Sequence, residues 1–235
     1  MSNCNHPNIV KALKFFQYDC FYCVVMEYAS EGSLKQYLLR YYKKGIPEEM
    51  VKKIVIKMLM VLKYLKDNEI IHRDIKLENF LVFKLTNDEI EVKLSDFGFA
   101  SYFSEQKNEF VGTFGYESPE ILQNKRYSYE IDMWSLGVCV FVLLTCKYPF
   151  PVKNLLAHKK KVLKGIFRGD WITSDKARDF ISSLLVVKPK NRMTPEEALT
   201  HCWISDEITN NVYSSFTLTP ENYESCFQNL QMIIV

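Results

Sequence analysis

Several things are scarce in this sequence, and each scarcity removes a class of protein. No charge of one sign dominates: Lys and Arg number 30 against 28 Asp and Glu, a formal net charge of +2, so the bulk charge does not point to nucleic acid or to an anionic membrane surface as a partner. No cysteine framework is visible. Seven cysteines stand at positions 4, 20, 23, 139, 146, 202 and 226, an odd and scattered set, which suits free thiols in a reducing compartment: the cytoplasm, with the nucleus left open. The only C-x-x-C, Cys20 to Cys23, lacks a second Cys or His pair at zinc spacing and lies in the apolar run "CFYCVVM", so it reads as strand packing. No signal peptide opens the sequence. The longest uncharged run, Met133 to Cys146 ("MWSLGVCVFVLLTC"), falls short of the roughly 20 residues a membrane span needs and reads as a helix buried on all sides.

What is present suits a globular chain. With 235 residues, 48% hydrophobic and 14% aromatic, it can bury one sizeable core. Aromatic and β-branched segments near 10–16 and 20–28 predict strands, followed by the turn "SEGS". Helix dominates beyond it. Ser33 to Lys44 predicts a short amphipathic helix closed by Gly45, and Pro47-Glu48-Glu49 opens a longer one, with Pro in the first turn and acids at the positive end of the helix dipole. In that helix Met50, Ile54, Met58, Leu62 and Leu65 recur every three to four residues, which assigns one face to the core. Short strands are expected at 80–83 and 91–94, a loop-rich segment over 97–120, and mostly helix from there to about 204.

One stretch asks for more than packing. "IIHRDIKLENFLVF", Ile70 to Phe83, sets His, Arg, Asp, Lys, Glu and Asn between two apolar runs, without the Gly, Asn-Gly or Asp-Gly that a tight hairpin turn would use. It does not stand alone. Met26-Glu27-Tyr28, "HRDIKLEN" at 72–79, "DFG" at 96–98, "SPE" at 118–120, "DMWSLGV" at 132–138 and Arg192 near "TPEEALTHCWI" follow one another in the order and spacing of a eukaryotic protein kinase. From residue 5 to about 204 the sequence resembles that family, in its serine/threonine branch and broadly in the calcium/calmodulin-dependent group.

The resemblance implies an α+β, protein-kinase-like fold: a mostly helical C-terminal lobe over 29–204, a remnant of the N-terminal-lobe sheet and hinge over 1–28, and a tail over 205–235. It implies phosphoryl transfer from ATP with Mg²⁺ to protein substrates, which requires an oriented hydroxyl, metal ions on the phosphates and neutralised charge. On that reading Asp74 is the catalytic-loop base, Lys76 sits by the γ-phosphate, and Asn79 and Asp96 are the Mg²⁺ ligands. Met26, Glu27, Tyr28 and Ala29 resemble the gatekeeper and hinge that meet the adenine edge, with Leu81 its apolar floor. Glu78, counted with these cofactor-binding residues, is also what remains of the acidic set with which related kinases favour basic residues before the phosphosite; Ser33 and Val142 replace the others. His72 is expected to be a packed core imidazole rather than an acid or base. Thr113 resembles the threonine that bridges Asp74 and Lys76, Asp132 the group that braces the catalytic-loop backbone, and Glu120 and Arg192 the pair that ties the activation segment down. Arg73 is the cation that an activation-loop phosphate normally meets, and by the family's spacing that position is Glu109, already negative, with Ser101 and Ser104 as other modifiable residues. Phe99, after "DFG", goes with serine over threonine as acceptor.

The departures are equally specific. "SPE" stands for Ala-Pro-Glu, and Phe114-Gly115 for the common Pro-x of the substrate-facing loop. The Gly-rich loop, strand lysine and helix glutamate that family members carry ahead of this point are missing. "MSNCNHPNIV" reads like the tail of the helix that bears that glutamate, with Met1 an internal methionine. The expectation is a truncated gene model or splice form of an active kinase. The alternative is a scaffold or decoy that keeps the helical lobe for binding; a small-molecule phosphotransferase is disfavoured by "VGTFGYESPE" and Arg192. The segment 205–235 holds Asp206, Glu207, Glu221 and Glu224 and no Lys or Arg, the wrong charge for a calmodulin-binding tail.

Overall fold

The computed structural model describes residues 4–84, 90–105, 109–172 and 174–205. The expectation for the 206–235 part of the tail therefore lies outside the described residues. The chain opens with an antiparallel hairpin, β1 (Ala12–Tyr18) and β2 (Phe21–Met26), then α1 (Leu34–Tyr41) and the long α2 (Glu48–Asp67). Three short pieces of strand frame the polar stretch: β3 (Ile70–Ile71), β4 (Phe80–Lys84) and β5 (Ile90–Leu94). A further two-residue strand, β6 (Ser101–Tyr102), pairs with β3, while β4 pairs with β5, each antiparallel. The remainder is helical: α3 (Pro119–Leu122), α4 (Glu130–Thr145), α5 (Leu155–Val162), α6 (Asp175–Leu184) and α7 (Pro195–Thr200). Among the described residues, no helix is long and apolar enough to cross a membrane.

The core is organised around α4, as its uncharged run predicts. Trp134, Leu136, Phe141 and Leu143 are fully buried, and the ring of Trp134 stacks on Phe150 at 5.5 Å between centroids. α2 packs its Ile54, Met58, Leu62 and Leu65 face into the same core, whereas Met50, in the first turn, is only part-buried. α1 ends at Tyr41, four residues short of Gly45. Gly45 serves another purpose: at φ +104° it passes so close to the Leu144 carbonyl that a Cβ would come within 2.1 Å of it, which no other residue could satisfy. Ser33 caps α1, its hydroxyl accepting from the Gln36 N–H at 3.2 Å while the Gln36 side chain takes the Ser33 N–H at 2.9 Å. At the far end Trp203 is buried, its indole N–H donating to Glu48 at 2.8 Å.

The hairpin departs from the expectation for Cys20 to Cys23. Cys20 is exposed in the β1–β2 turn beside Asp19, whose φ is +54°, and Cys23 is half-buried in β2. Neither is packed in a core, because nearly every hairpin residue is exposed on both faces of the sheet. The cysteines from Cys4 to Cys202 are all free thiols; Cys226 lies outside the described residues. The 97–120 segment is less irregular than its sequence suggests, since β6 and a single helical turn at Phe103–Glu105 interrupt it.

Candidate functional site

The polar stretch lies between β3 and β4 and is held from beneath by α4. Asp132, in the first turn of α4, accepts the backbone N–H of His72 at 2.8 Å and of Arg73 at 3.0 Å. Burial pushes its carboxyl up to about 7, against the pull of those two amides and of the Arg73 charge. This bracing holds Arg73 at φ +68°, a left-handed conformation that costs a side-chain-bearing residue free energy and persists only where the surroundings over-determine it. His72 is fully buried. Its Nε2 lies 3.2 Å from the Ser95 carbonyl, its ring packs on Phe97, and burial holds it down at about 4, so it is neutral at ordinary pH.

Asp74 is only 4% exposed. Both of its oxygens are engaged: Oδ1 accepts from the Thr113 hydroxyl at 2.7 Å, and Oδ2 from Lys76 Nζ at 2.6 Å and Asn79 Nδ2 at 3.1 Å. Lys76 also donates to Thr113 Oγ1 at 2.8 Å, closing a triangle across 39 residues of chain. Asn79 spends its amide nitrogen on the Asp74 carbonyl (2.8 Å) and carboxylate, which leaves its amide oxygen as the acceptor these bonds do not use. Asp96 is exposed, at φ +53°, with Oδ1 accepting the Gly98 N–H at 3.2 Å. Asn79 and Asp96 together offer amide and carboxylate oxygens, hard donors of the kind Mg²⁺ takes while keeping several waters. They fit that ion, and no cluster of three or more His, Cys, Asp or Glu suited to a metal occurs among the described residues.

The residues expected to meet the nucleotide gather at a separate concavity. Met26, Glu27, Tyr28, Ala29, Glu78 and Leu81 all line one open concavity of about 630 Å³. The carboxylate of Glu27 is spent on structure, accepting from Lys93 Nζ and from the Lys11 N–H, each at 2.8 Å. The Ala29 N–H makes no hydrogen bond among the described residues. Three residues outside the sequence expectation, Gly32, Lys35 and Gln36, share the lining; Ser33-x-x-Gln36, a capping-box spacing, was the available signal for the turn that presents them. Ser33 is committed to that cap and Val142 is buried in α4, so neither offers a polar group to the concavity in place of the missing acids. Glu78 does face it, and accepts from the Tyr116 hydroxyl at 3.3 Å.

The residues expected around the activation segment come together as two anchors. Arg73 Nη1 is 3.2 Å from Glu109 Oε2 and 3.3 Å from the Tyr127 hydroxyl, which itself donates to the Glu109 carbonyl at 3.3 Å; Arg73 Nε donates to the Phe99 carbonyl. Tyr127 had no local sequence signal, because its partners lie far away along the chain. The second anchor is fully inside. Arg192 grips Glu120 with two parallel bonds, 2.7 and 3.1 Å, and its guanidinium lies 5.1 Å from the centre of the Trp134 ring. A buried bidentate pair of this kind fixes geometry more than it adds net stability.

Comparison with known proteins supplies the family. A family model described as the protein kinase domain matches residues 1–204. The serine/threonine-protein kinase DCLK3 of Mus musculus is 35% identical over 208 residues, covering 85% of this chain and 26% of that protein. The serine/threonine-protein kinase RAD53 of Saccharomyces cerevisiae is 34% identical over 219 residues, 85% of this chain and 26% of its own length. Among solved structures, the crystal structure of the Rad53 kinase domain and SCD2 in complex with AMPPNP superposes with a TM-score of 0.72 at 34% identity, covering 86% of this chain and 75% of that one. The chain spans about a quarter of the length of the curated relatives it matches. It belongs to the protein kinase domain family, among the serine/threonine kinases.

Proposed function

We propose that this chain provides the catalytic lobe that transfers the γ-phosphoryl group of ATP to a serine or threonine hydroxyl of a protein substrate. The observation that carries the proposal is the closed network of Asp74, Lys76, Thr113 and Asn79, in which an aspartate is held rigid. In this scheme Asp74 orients the acceptor hydroxyl and takes its proton as the oxygen attacks phosphorus. Lys76, its ammonium shared between Asp74 and Thr113, neutralises charge on the moving phosphoryl group. Thr113 links the acceptor-binding loop to the catalytic loop, so both move as one. Asn79 and Asp96 would hold Mg²⁺, which when bound screens the phosphate oxygens. The hinge from Met26 to Ala29 would receive the adenine, with the Ala29 N–H as donor and Leu81 beneath. Because phosphoryl transfer asks for positioning and electrostatic stabilisation rather than covalent chemistry from the protein, this inventory is matched to the reaction. The free thiols suit work in the cytoplasm or nucleus.

A second reading, a binding lobe without catalysis, is favoured by one observation: the hairpin that leads into the concavity is exposed on both faces. One experiment separates the two. The purified chain is incubated with Mg²⁺-ATP and a mixed serine/threonine peptide array, with Asp74→Asn as control. Phosphopeptides made by the wild type and lost in the variant establish the transferase; nucleotide or peptide binding without transfer in either establishes the binding lobe.

A further inference from the structure

The segment just before Ser118-Pro119-Glu120 carries a second carboxylate that the phosphotransfer scheme does not use. Glu117 is 7% exposed. Its Oε2 accepts the Gly115 N–H at 2.6 Å, which stitches a turn in which the Tyr116 N–H donates to the Thr113 carbonyl at 3.1 Å and Gly115 sits at φ +100°. The turn lies against residues 148–152: a Cβ at Gly115 would stand 3.2 Å from Val152 and 3.3 Å from the Tyr148 ring. The same Oε2 lies 3.4 Å from Nε2 of His158 on α5. His158 is 0% exposed, with the Phe114 ring 4.6 Å and the Phe150 ring 6.3 Å from its own.

The hydrogen bonds dictate where the protons are. His158 Nδ1 is 3.0 Å from the Pro151 carbonyl, and a carbonyl can only accept, so Nδ1 carries a hydrogen. In a neutral ring Nε2 is then a bare lone pair facing a carboxylate oxygen, and Nε2 is one of the few buried polar atoms that makes no hydrogen bond. Two acceptors facing each other away from water are unfavourable, whereas one proton between them makes a charge-assisted hydrogen bond. The other charged groups nearby are already engaged or point away. Glu120 of α3 is held by Arg192, the Tyr148 hydroxyl takes Lys35 at 3.2 Å, and Lys159, Lys160 and Lys161 of α5 are exposed to solvent.

We propose that Glu117 and His158 share one proton, and that this buried bridge positions the loop on which a peptide substrate docks, holding Phe114 and Gly115 against residues 148–158. The proposal rests on the kinase reading for its consequence, substrate docking, but not for the bridge itself. Neither residue touches nucleotide or acceptor, so both act through the loop. Where either partner is lost docking weakens, while the nucleotide concavity, formed by other residues, is untouched.

The test uses wild type, His158→Phe and Glu117→Gln, with three measurements: peptide and ATP KM, hydrogen exchange of the Gly115 amide, and long-range proton–nitrogen spectra of the His158 ring. In His158→Phe, peptide KM should rise about tenfold or more, as for loss of one partner of a buried polar pair, with ATP KM unchanged and Gly115 exchanging faster. Both contacts are made by the same Oε2, so a glutamine at 117 can place there either its oxygen, to accept from Gly115, or its NH2, to donate to a neutral Nε2, but not both; Glu117→Gln should therefore also raise peptide KM, with ATP KM unchanged. A peptide KM and Gly115 exchange unmoved by His158→Phe, or a peptide KM unmoved by Glu117→Gln, overturns the proposal; should His158→Phe fail to fold, Glu117→Gln decides. If the wild type transfers no phosphate, the kinase reading fails, and the spectra and the Gly115 exchange still decide the bridge. It stands if the wild-type ring shows a proton shared at Nε2, and falls if Nε2 is bare.

Discussion

The β1–β2 hairpin and helix α4 are both strongly apolar in sequence, yet they end in opposite environments. Tyr18, Phe21 and Tyr22 of the hairpin are 72%, 65% and 67% exposed, whereas α4 is buried around almost its whole circumference. Hydrophobic composition states a demand for partners; it does not supply them. α4 has α2, α6 and the Trp134–Phe150 stack around it, while the hairpin has its own cross-strand neighbours and little else, and two-stranded sheets with open faces are marginal in water. The two regions also divide the proposed chemistry. Asp132 of α4 braces the catalytic loop, and the hairpin ends in the hinge.

Substitutions sharpen this contrast, and the largest effect belongs to the loop that α4 braces. Asp74→Asn should lower turnover in the phosphotransfer assay by about 10²–10⁴-fold or more, with circular dichroism and Tm close to wild type; a variant within tenfold of wild type removes Asp74 from its proposed role. Next in size is the core itself. Phe141→Ala, at a fully buried α4 position, should cost about 3–5 kcal/mol in denaturant unfolding, against roughly 0.5 kcal/mol or less for Tyr22→Ala in the hairpin. Comparable losses at the two sites would show that the hairpin is a cooperative part of the fold. Limited proteolysis should likewise cut within 12–26 before it cuts 47–204.

Smaller effects test the Arg73 anchor. Glu109 carries one charge where a phosphate carries about −1.5 to −2, so its contribution to ordering is partial. Glu109→Gln should lower turnover severalfold, and phosphatase treatment of the wild type should not silence it; an enzyme indifferent to Glu109→Gln, or dead after phosphatase, excludes Glu109 as a built-in substitute for phosphorylation. A last effect, set by two opposing shifts, is on stability against pH. His72 is held down at about 4 in the folded chain, so between its ordinary value of about 6.5 and about 4 the unfolded chain binds a proton that the folded one does not. His72 therefore makes stability fall as pH is lowered through that window. Asp132, raised to about 7, works the other way: the folded chain holds the extra proton, and stability falls as pH rises from about 4 to 7. The wild-type slope is the difference between them, and His72→Asn should lose the His72 part, so that its stability falls less, or rises, on acidification from 6.5 to 4. Identical slopes would show that His72 does not titrate differently in the two states.

Legibility in the sequence followed chain separation. Asp74, Lys76 and Asn79 lie within one short run, so their juxtaposition needs only a local turn, and "HRDIKLEN" displays it directly. α4 was readable because an uncharged run too short to span a membrane has one stable environment, a protein core. Thr113, Glu120, Arg192 and Glu109 were placed through resemblance alone, since nothing in their local spacing says which distant residue each will meet. Tyr127 and the Glu117–His158 pair escaped both routes. Their residues match no motif, and their contacts depend on which loop folds over which helix. The exposed setting of Cys20 escaped too, because alternation and β propensity describe a strand but not what covers its faces.

By itself, then, the sequence determined the helical periodicities, the short polar run that carries the candidate chemistry and the buried character of α4, all properties that local spacing and hydrophobicity decide. Only the tertiary structure decided that both Asp74 oxygens are occupied, that Arg73 bridges Phe99, Glu109 and Tyr127, and that a carboxylate and an imidazole face each other beneath the 113–117 turn. A hydrogen bond requires its atoms within about 3 Å, and for groups many residues apart that proximity belongs to the packing of the whole chain.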